Sequence, residues 1–141
     1  METAKAIKDI YDISFNLDDV LQEDRCPMHE WYNNLINKTY DQLDLFDVTR
    51  MIIQKTYLEL AVTKAVSFVK ENPFCGQRYE GELLELLYKL DICYLEKCKE
   101  TLKEVLDDAL KQNEVYEWLC EEERVEFSDL VKCFSQKLLT D

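Results

Sequence analysis

Residues 47–90 read DVTRMIIQKTYLELAVTKAVSFVKENPFCGQRYEGELLELLYKL. Between Val48 and Val69 apolar side chains cover much more than one stripe of a 3.6-residue period: Met51, Ile52, Ile53, Leu58, Leu60, Ala61, Val62, Ala65, Val66 and Phe68. A helix that is apolar nearly all round is surrounded by other helices, so a central helix is expected over residues 47–70. Asn72-Pro73 ends it, because the residue before a proline is pushed out of the α region. A second amphipathic helix is expected from about Tyr79 to Leu90, with Leu83, Leu84, Leu87 and Leu90 turned inward. The chain has two glycines, Gly76 and Gly81, and both fall in this short middle. Gly76 is expected to supply a positive-φ turn, and Gly81 to let backbones approach closely.

Towards the N-terminus, Thr3 is placed to cap a first helix running to about Ile13. Asn16 then reads as the N-cap of a short turn, LDDVLQED, whose Asp18 and Asp19 suit a helix N-terminus. Pro27 starts the next helix, MHEWYNNLINKTY, which presents Trp31, Leu35 and Ile36 on one face. Asp41, Asp44 and Asp47 follow at intervals of three, where they favour the dipole of the central helix. Towards the C-terminus the pattern blurs over residues 91–98. It resumes from Thr101 to Leu110 with Leu102, Val105, Leu106, Ala109 and Leu110. Asn113 marks a loop, VYEWLC a short helix, and a last helix from about Glu121 keeps Phe127, Leu130, Val131, Phe134 and Leu138 on one side.

The 141 residues, 47% hydrophobic and 33% charged, suit one globular domain over 1–141 with a core of its own. Two Gly and two Pro leave too few turn signals for a strand-rich fold. The expected class is all-α: a single domain of about seven helices around the helix near 47–70.

The formal charge is −13, with 12 acidic and 8 basic residues in 1–70 and 18 and 9 in 71–141. Such a surface repels nucleic acid and anionic membranes, so direct binding to either is not expected, whereas a basic protein partner is attracted. Acidity that serves solubility alone is the plainer explanation. No apolar run approaches the roughly 18 residues of a membrane span. The six cysteines include no C-x-x-C pair, and most sit among apolar neighbours (DICYLEKC, LVKCF), where a free thiol is expected in the core. With a polar, helical first segment, METAKAIKDI, the reading is a reduced, cytoplasmic protein without a disulfide framework.

Chemistry has little to work with. His29 is the single histidine, and Cys26-x-x-His29 would offer a metal two ligands with no second pair to complete the four of a structural zinc site. LDDVLQED lacks the glycine and alternating oxygens of a calcium loop. There is no Gly-rich phosphate cradle. Neither a cofactor nor a catalytic activity is expected.

Two polar sets stand out. Asp47, Arg50 and Gln54 share one face of an otherwise apolar helix, and the stretch 77–82 (QRYEGE), with Tyr79 and Gly81, offers partners. They read as a buried network locking the two central helices together; the alternative sets part of it at a partner-binding surface. Glu121, Glu122, Glu123 and Glu126 form the densest charge run, which favours a helix dipole or, alternatively, meets a basic partner.

The wording of the central stretch resembles a family. Asp47, Val48, Arg50, Met51, Ile52 and Gln54 (D-V-x-R-M-I-x-Q), then Asn72 to Gly76 and Tyr79 to Leu84 (N-P-F-x-G-x-x-Y-x-G-E-L-L), look like the helical immunity proteins of bacterial contact-dependent growth-inhibition systems. The likeness covers about a third of the chain. It departs at Ile53, where a second basic residue is expected, as in R-M-I-R-Q. The resemblance implies a cytosolic inhibitor that binds and neutralises the C-terminal domain of a toxin, commonly a nuclease. Residues shared across a family whose toxins differ suit the scaffold, so the toxin-binding candidates are acids at or beyond the motif's rim: Asp41, Asp44, Glu80, Glu82, Glu85, Glu121, Glu122, Glu123 and Glu126. The alternative is a cytosolic helical adaptor or regulator that binds another basic protein.

Overall fold

The computed structural model describes residues 5–139. Among them are seven α-helices, five short 3-10 turns and no strand, apart from one isolated antiparallel bridge between Ala6 and Thr39. They form two compact units, Met1–Asp47 and Val48–Asp141, and the division falls inside a helix.

In the first unit, α1 (Ile7–Ile10) is a single turn that ends where Asp12 takes a φ of 53°, so the helix expected to reach Ile13 is much shorter. Thr3, its expected cap, lies outside the described residues. Asn16 does cap a 3-10 turn, Leu17–Asp19, its Oδ1 accepting from the Asp18 N–H at 3.0 Å. Pro27 opens α2 (Pro27–Ile36) as its N1 residue. His29 Nδ1 accepts from the Cys26 N–H at 3.1 Å, so the Cys26–His29 pair serves as a helix cap. Ile7, Leu35, Ile36 and Leu43 are the buried apolar side chains.

Helix α3 (Leu45–Gln54) begins on a reciprocal acid cap. Asp44 Oδ1 accepts from the Asp47 N–H at 2.8 Å, and Asp47 Oδ2 accepts from the Asp44 N–H at 3.3 Å and from Lys38 Nζ at 2.6 Å. Two of the three acids at intervals of three, Asp44 and Asp47, therefore act through direct hydrogen bonds as well as through the dipole.

The single long helix expected over 47–70 is two helices. α3 stops at Gln54, and α4 (Leu58–Glu71) starts after Tyr57. The stop is a Schellman motif: the Thr56 N–H donates to the Met51 carbonyl at 2.8 Å and the Lys55 N–H to the Ile52 carbonyl at 3.2 Å. This places Lys55 at φ 55°, and Tyr57, the N-cap of α4, follows at φ 46°; both are left-handed positions that usually go to glycine. No Gly or Pro marks the break, so the apolar run hid it. Because a side chain in this conformation costs about 1–2 kcal/mol, Lys55→Gly is expected to raise stability by about 0.5–1 kcal/mol once the extra freedom of glycine in the unfolded chain is subtracted. Urea unfolding of the two proteins checks this, and an unchanged or lower midpoint would contradict it.

In the second unit α4 packs on α5 (Glu82–Lys89) and α6 (Lys99–Asn113), and α6 packs on α7 (Glu121–Leu139). Most of the expected inward faces are buried: Leu83, Leu84, Leu87 and Leu90; Leu102, Val105, Leu106 and Ala109; Phe127, Val131, Phe134 and Leu138; Leu110 and Leu130 are only half-buried. The blurred stretch 91–98 is two 3-10 turns, Ile92–Tyr94 and Glu96–Cys98. Lys137 of α7 donates to the carbonyls of Tyr88 and Leu90, which satisfies the C-terminal end of α5. VYEWLC is not a helix but a turn and bend between α6 and α7. All six cysteines are free, and none is buried: Cys26, Cys93, Cys120 and Cys133 are exposed, Cys75 and Cys98 half-buried. The expectation of core thiols was thus wrong; beside Cys75 and Cys133 it is the neighbouring phenylalanine, Phe74 and Phe134, that takes the inward position.

Candidate functional site

The connection between α4 and α5, residues 72–81, is folded around one carboxylate. Asn72 Oδ1 accepts from the Phe74 N–H at 3.0 Å, turning the chain after α4. The Gly81 N–H then donates to the Phe74 carbonyl at 2.7 Å, closing the loop. Inside it, Glu82 Oε1 accepts from the N–H groups of Gln77 at 2.8 Å and Arg78 at 2.9 Å, and Oε2 accepts from Arg78 Nε. Glu82 is 0% exposed. Burial pushes its carboxyl upward, but the two backbone N–H groups and the guanidinium outweigh this and hold it below its usual value.

The two glycines have exchanged their expected roles. Gly81 has the positive φ, 84°, at the N-cap of α5. Gly76 provides the close approach: a Cβ there would collide with the Tyr79 carbonyl and lie 2.7 Å from Glu82 Cβ. Gly81 also meets α7, since a Cβ on it would sit 3.1 Å from the Phe127 ring. The start of α5 and the first turns of α7 therefore lie side by side.

Between them runs an open groove of about 370 Å³. Gly81, Phe127 and Leu130 line its apolar part, and Tyr79 and Trp118 supply aromatic walls. Four carboxylates complete it: Glu80 and Glu85 from the α5 side, Glu123 and Glu126 from α7. A tyrosine hydroxyl holds each of the first two. Tyr79 donates to Glu85 Oε2 at 2.6 Å, and Tyr116 donates to Glu80. Burial, reinforced by these carboxylates, pushes both phenols up to about 12, so both remain donors at neutral pH. Behind the groove Phe74 stacks on Tyr116 (centroids 3.8 Å apart) and packs against Phe127 and Trp118.

Of the nine acids proposed from the sequence, Glu80, Glu85, Glu123 and Glu126 come together here. Glu121 and Glu122 are exposed one turn away on α7, Glu121 bonded to Arg124 Nε at 3.1 Å. Asp41 is exposed on the 3-10 turn Tyr40–Gln42, and Asp44 is engaged as a cap. Glu82 must be removed from the surface set, since its carboxylate is fully buried and occupied within its own loop. The network expected from Asp47, Arg50 and Gln54 also needs correction. Asp47 bonds Asp44 and Lys38, Gln54 is exposed, Arg50 is half-buried, and the loop around 77–82 closes on Glu82. Ile53, the departure from the motif, is 45% exposed, so the lost basic residue removes a surface charge. Sequence reasoning missed Trp118, Tyr116 and Leu130, whose only signal was their aromatic or apolar character.

Among the described residues no helix is long and apolar enough to cross a membrane. No curated protein and no solved structure matches the chain. Residues 13–105 match the family described as CDI immunity proteins, a span that contains the Glu82 loop and the α5 side of the groove but not α7. The chain thus belongs to the CDI immunity proteins, a family whose function is the neutralisation of a toxin.

Proposed function

We propose that this chain neutralises its cognate toxin by binding in the cytoplasm, that the toxin domain is a nuclease, and that a basic segment of it occupies the groove between α5 and α7. It acts as a binding protein without catalysis. The observation that supports this reading is the convergence of Glu80 and Glu85 with Glu123 and Glu126, far apart in sequence, on one groove with aromatic walls. A nuclease needs a basic surface for phosphate, and a carboxylate-lined groove carries the complementary charge. Aromatic faces beside the carboxylates suit a guanidinium, which stacks as well as pairs.

The test is calorimetry at low and moderate salt against an inactive variant of the toxin domain encoded next to this chain. The expected result is nanomolar binding that weakens as salt rises. Tight binding indifferent to salt would remove the acidic groove from the interface. No binding to a folded toxin domain would overturn the whole reading.

A further inference from the structure

The turn between α6 and α7 has two faces. Tyr116 and Trp118 point inward, where they pack against each other and against Phe74. Val115 and Leu119 point outward, 82% and 99% exposed, and Val125 on the first turns of α7 is 52% exposed. A slack loop would be free to turn such side chains away from water. This one is tied down. Buried Asn113 donates to the Arg124 carbonyl at 3.1 Å and accepts from the Trp118 indole at 2.7 Å. Arg124 in turn donates to the carbonyls of Asn113 and Tyr116. The fold thus holds aliphatic side chains in solvent on a fixed frame, an arrangement that keeps the ordering cost of binding low.

We propose that Val115, Leu119 and Val125 form an apolar contact surface for the same toxin domain, seated on an apolar patch flanked by lysine or arginine. The inference rests on the function proposed above. Two observations select this occupant. Glu126 lines both the acidic groove and the hollow beside Val125, so Val125 borders the groove. The hollows on the two sides of Val125 are lined by Glu121, Glu122 and Glu126 on one and by Glu114 and Asp129 with Arg124 and Lys132 on the other, so acids outnumber bases around it and the complementary patch is apolar at its centre and basic at its edge.

The experiment measures binding of the inactive toxin domain to wild type, to Leu119→Ser/Val125→Ser, and to Tyr94→Ser, a control at an exposed aromatic outside this surface. The double variant is expected to bind at least about a hundredfold more weakly, through faster dissociation, with the salt dependence of the wild type. Its melting temperature and the affinity of the control should not change. Wild-type affinity in the double variant would overturn this inference and leave the proposed function standing. A lowered melting temperature would make these side chains structural and also overturn it. A wild-type dimer that the double variant abolishes would assign the surface to a second copy of the chain instead. Failure of the wild type itself to bind would remove the proposed function, and this inference with it.

Discussion

Replacing Glu82 by alanine is expected to lower the stability of the folded chain by about 2–6 kcal/mol, the cost of leaving two buried backbone donors without an acceptor. The residue is buried in a loop whose shape depends on it: its carboxylate receives the Gln77 and Arg78 N–H groups and the Arg78 side chain. Without it the two backbone donors lose their acceptor at about 1–3 kcal/mol each. Arg78, with 65% of its side chain exposed, returns to water and adds little. Glu82→Gln keeps an acceptor oxygen for the backbone but turns an amide N–H₂ towards Arg78, and should cost about 1.5–3 kcal/mol, the worth of a hydrogen bond to a charged group. Thermal melting followed by circular dichroism checks both, and a Glu82→Ala protein that melts with the wild type would refute the role given to this carboxylate.

The same residue sets a pH dependence. Its folded pKa is depressed below the ordinary 4.5, so its stabilising contribution is complete above that value and disappears as pH falls through the lower folded pKa. The gap in stability between wild type and Glu82→Gln should therefore be widest at neutral pH, narrow as pH falls below 4.5, and close only below the depressed folded pKa, where Glu82 itself becomes neutral. A gap that persists unchanged into acid would mean that the charge is irrelevant and only shape matters.

The reach of the sequence follows from what kind of force shapes each part. Inward faces such as Leu83, Leu84 and Leu87 or Leu102, Val105 and Leu106 were legible because burial imposes a period that the residue types record. Caps at Asn16 and Pro27 were legible for a similar local reason. The break at Lys55–Tyr57 was not, because the left-handed residues there are types that ordinarily continue a helix. Glu82 had the look of a first-turn acid beside Glu85; its burial follows from a loop that must find an acceptor for two N–H groups, which no spacing rule encodes. Likewise VYEWLC carries helical spacing, yet Tyr116 and Trp118 are drawn to Phe74, some forty residues away in sequence, and the helix gives way. The acids of the groove were identifiable one by one. Their convergence depends on Phe127 meeting Gly81, a contact between distant parts of the chain.

That convergence gives the second large expected effect. Glu123→Lys/Glu126→Lys changes one wall of the groove and the net charge by four units. Glu104→Lys/Asp107→Lys changes the net charge equally at exposed positions of α6 that do not line it. If a basic toxin segment occupies the groove, the first variant replaces attraction by like-charge repulsion at contact, and its affinity should fall by about a hundredfold or more, with slower association and a flatter salt dependence. The second should lose only the long-range steering, about a few-fold at low salt and nothing measurable once salt screens beyond roughly 10 Å. The two walls are also unequal tests. Glu80 and Glu85 are held by Tyr116 and Tyr79, so reversing them disturbs the loop as well as the charge, whereas Glu126 is exposed and free of that complication. Equal losses in the two variants would reduce the acidic surface to a general attraction, and no loss in either would take the groove out of the interface. A loss confined to the α7 wall, together with wild-type melting of that variant, would identify the groove as the place where the toxin is held.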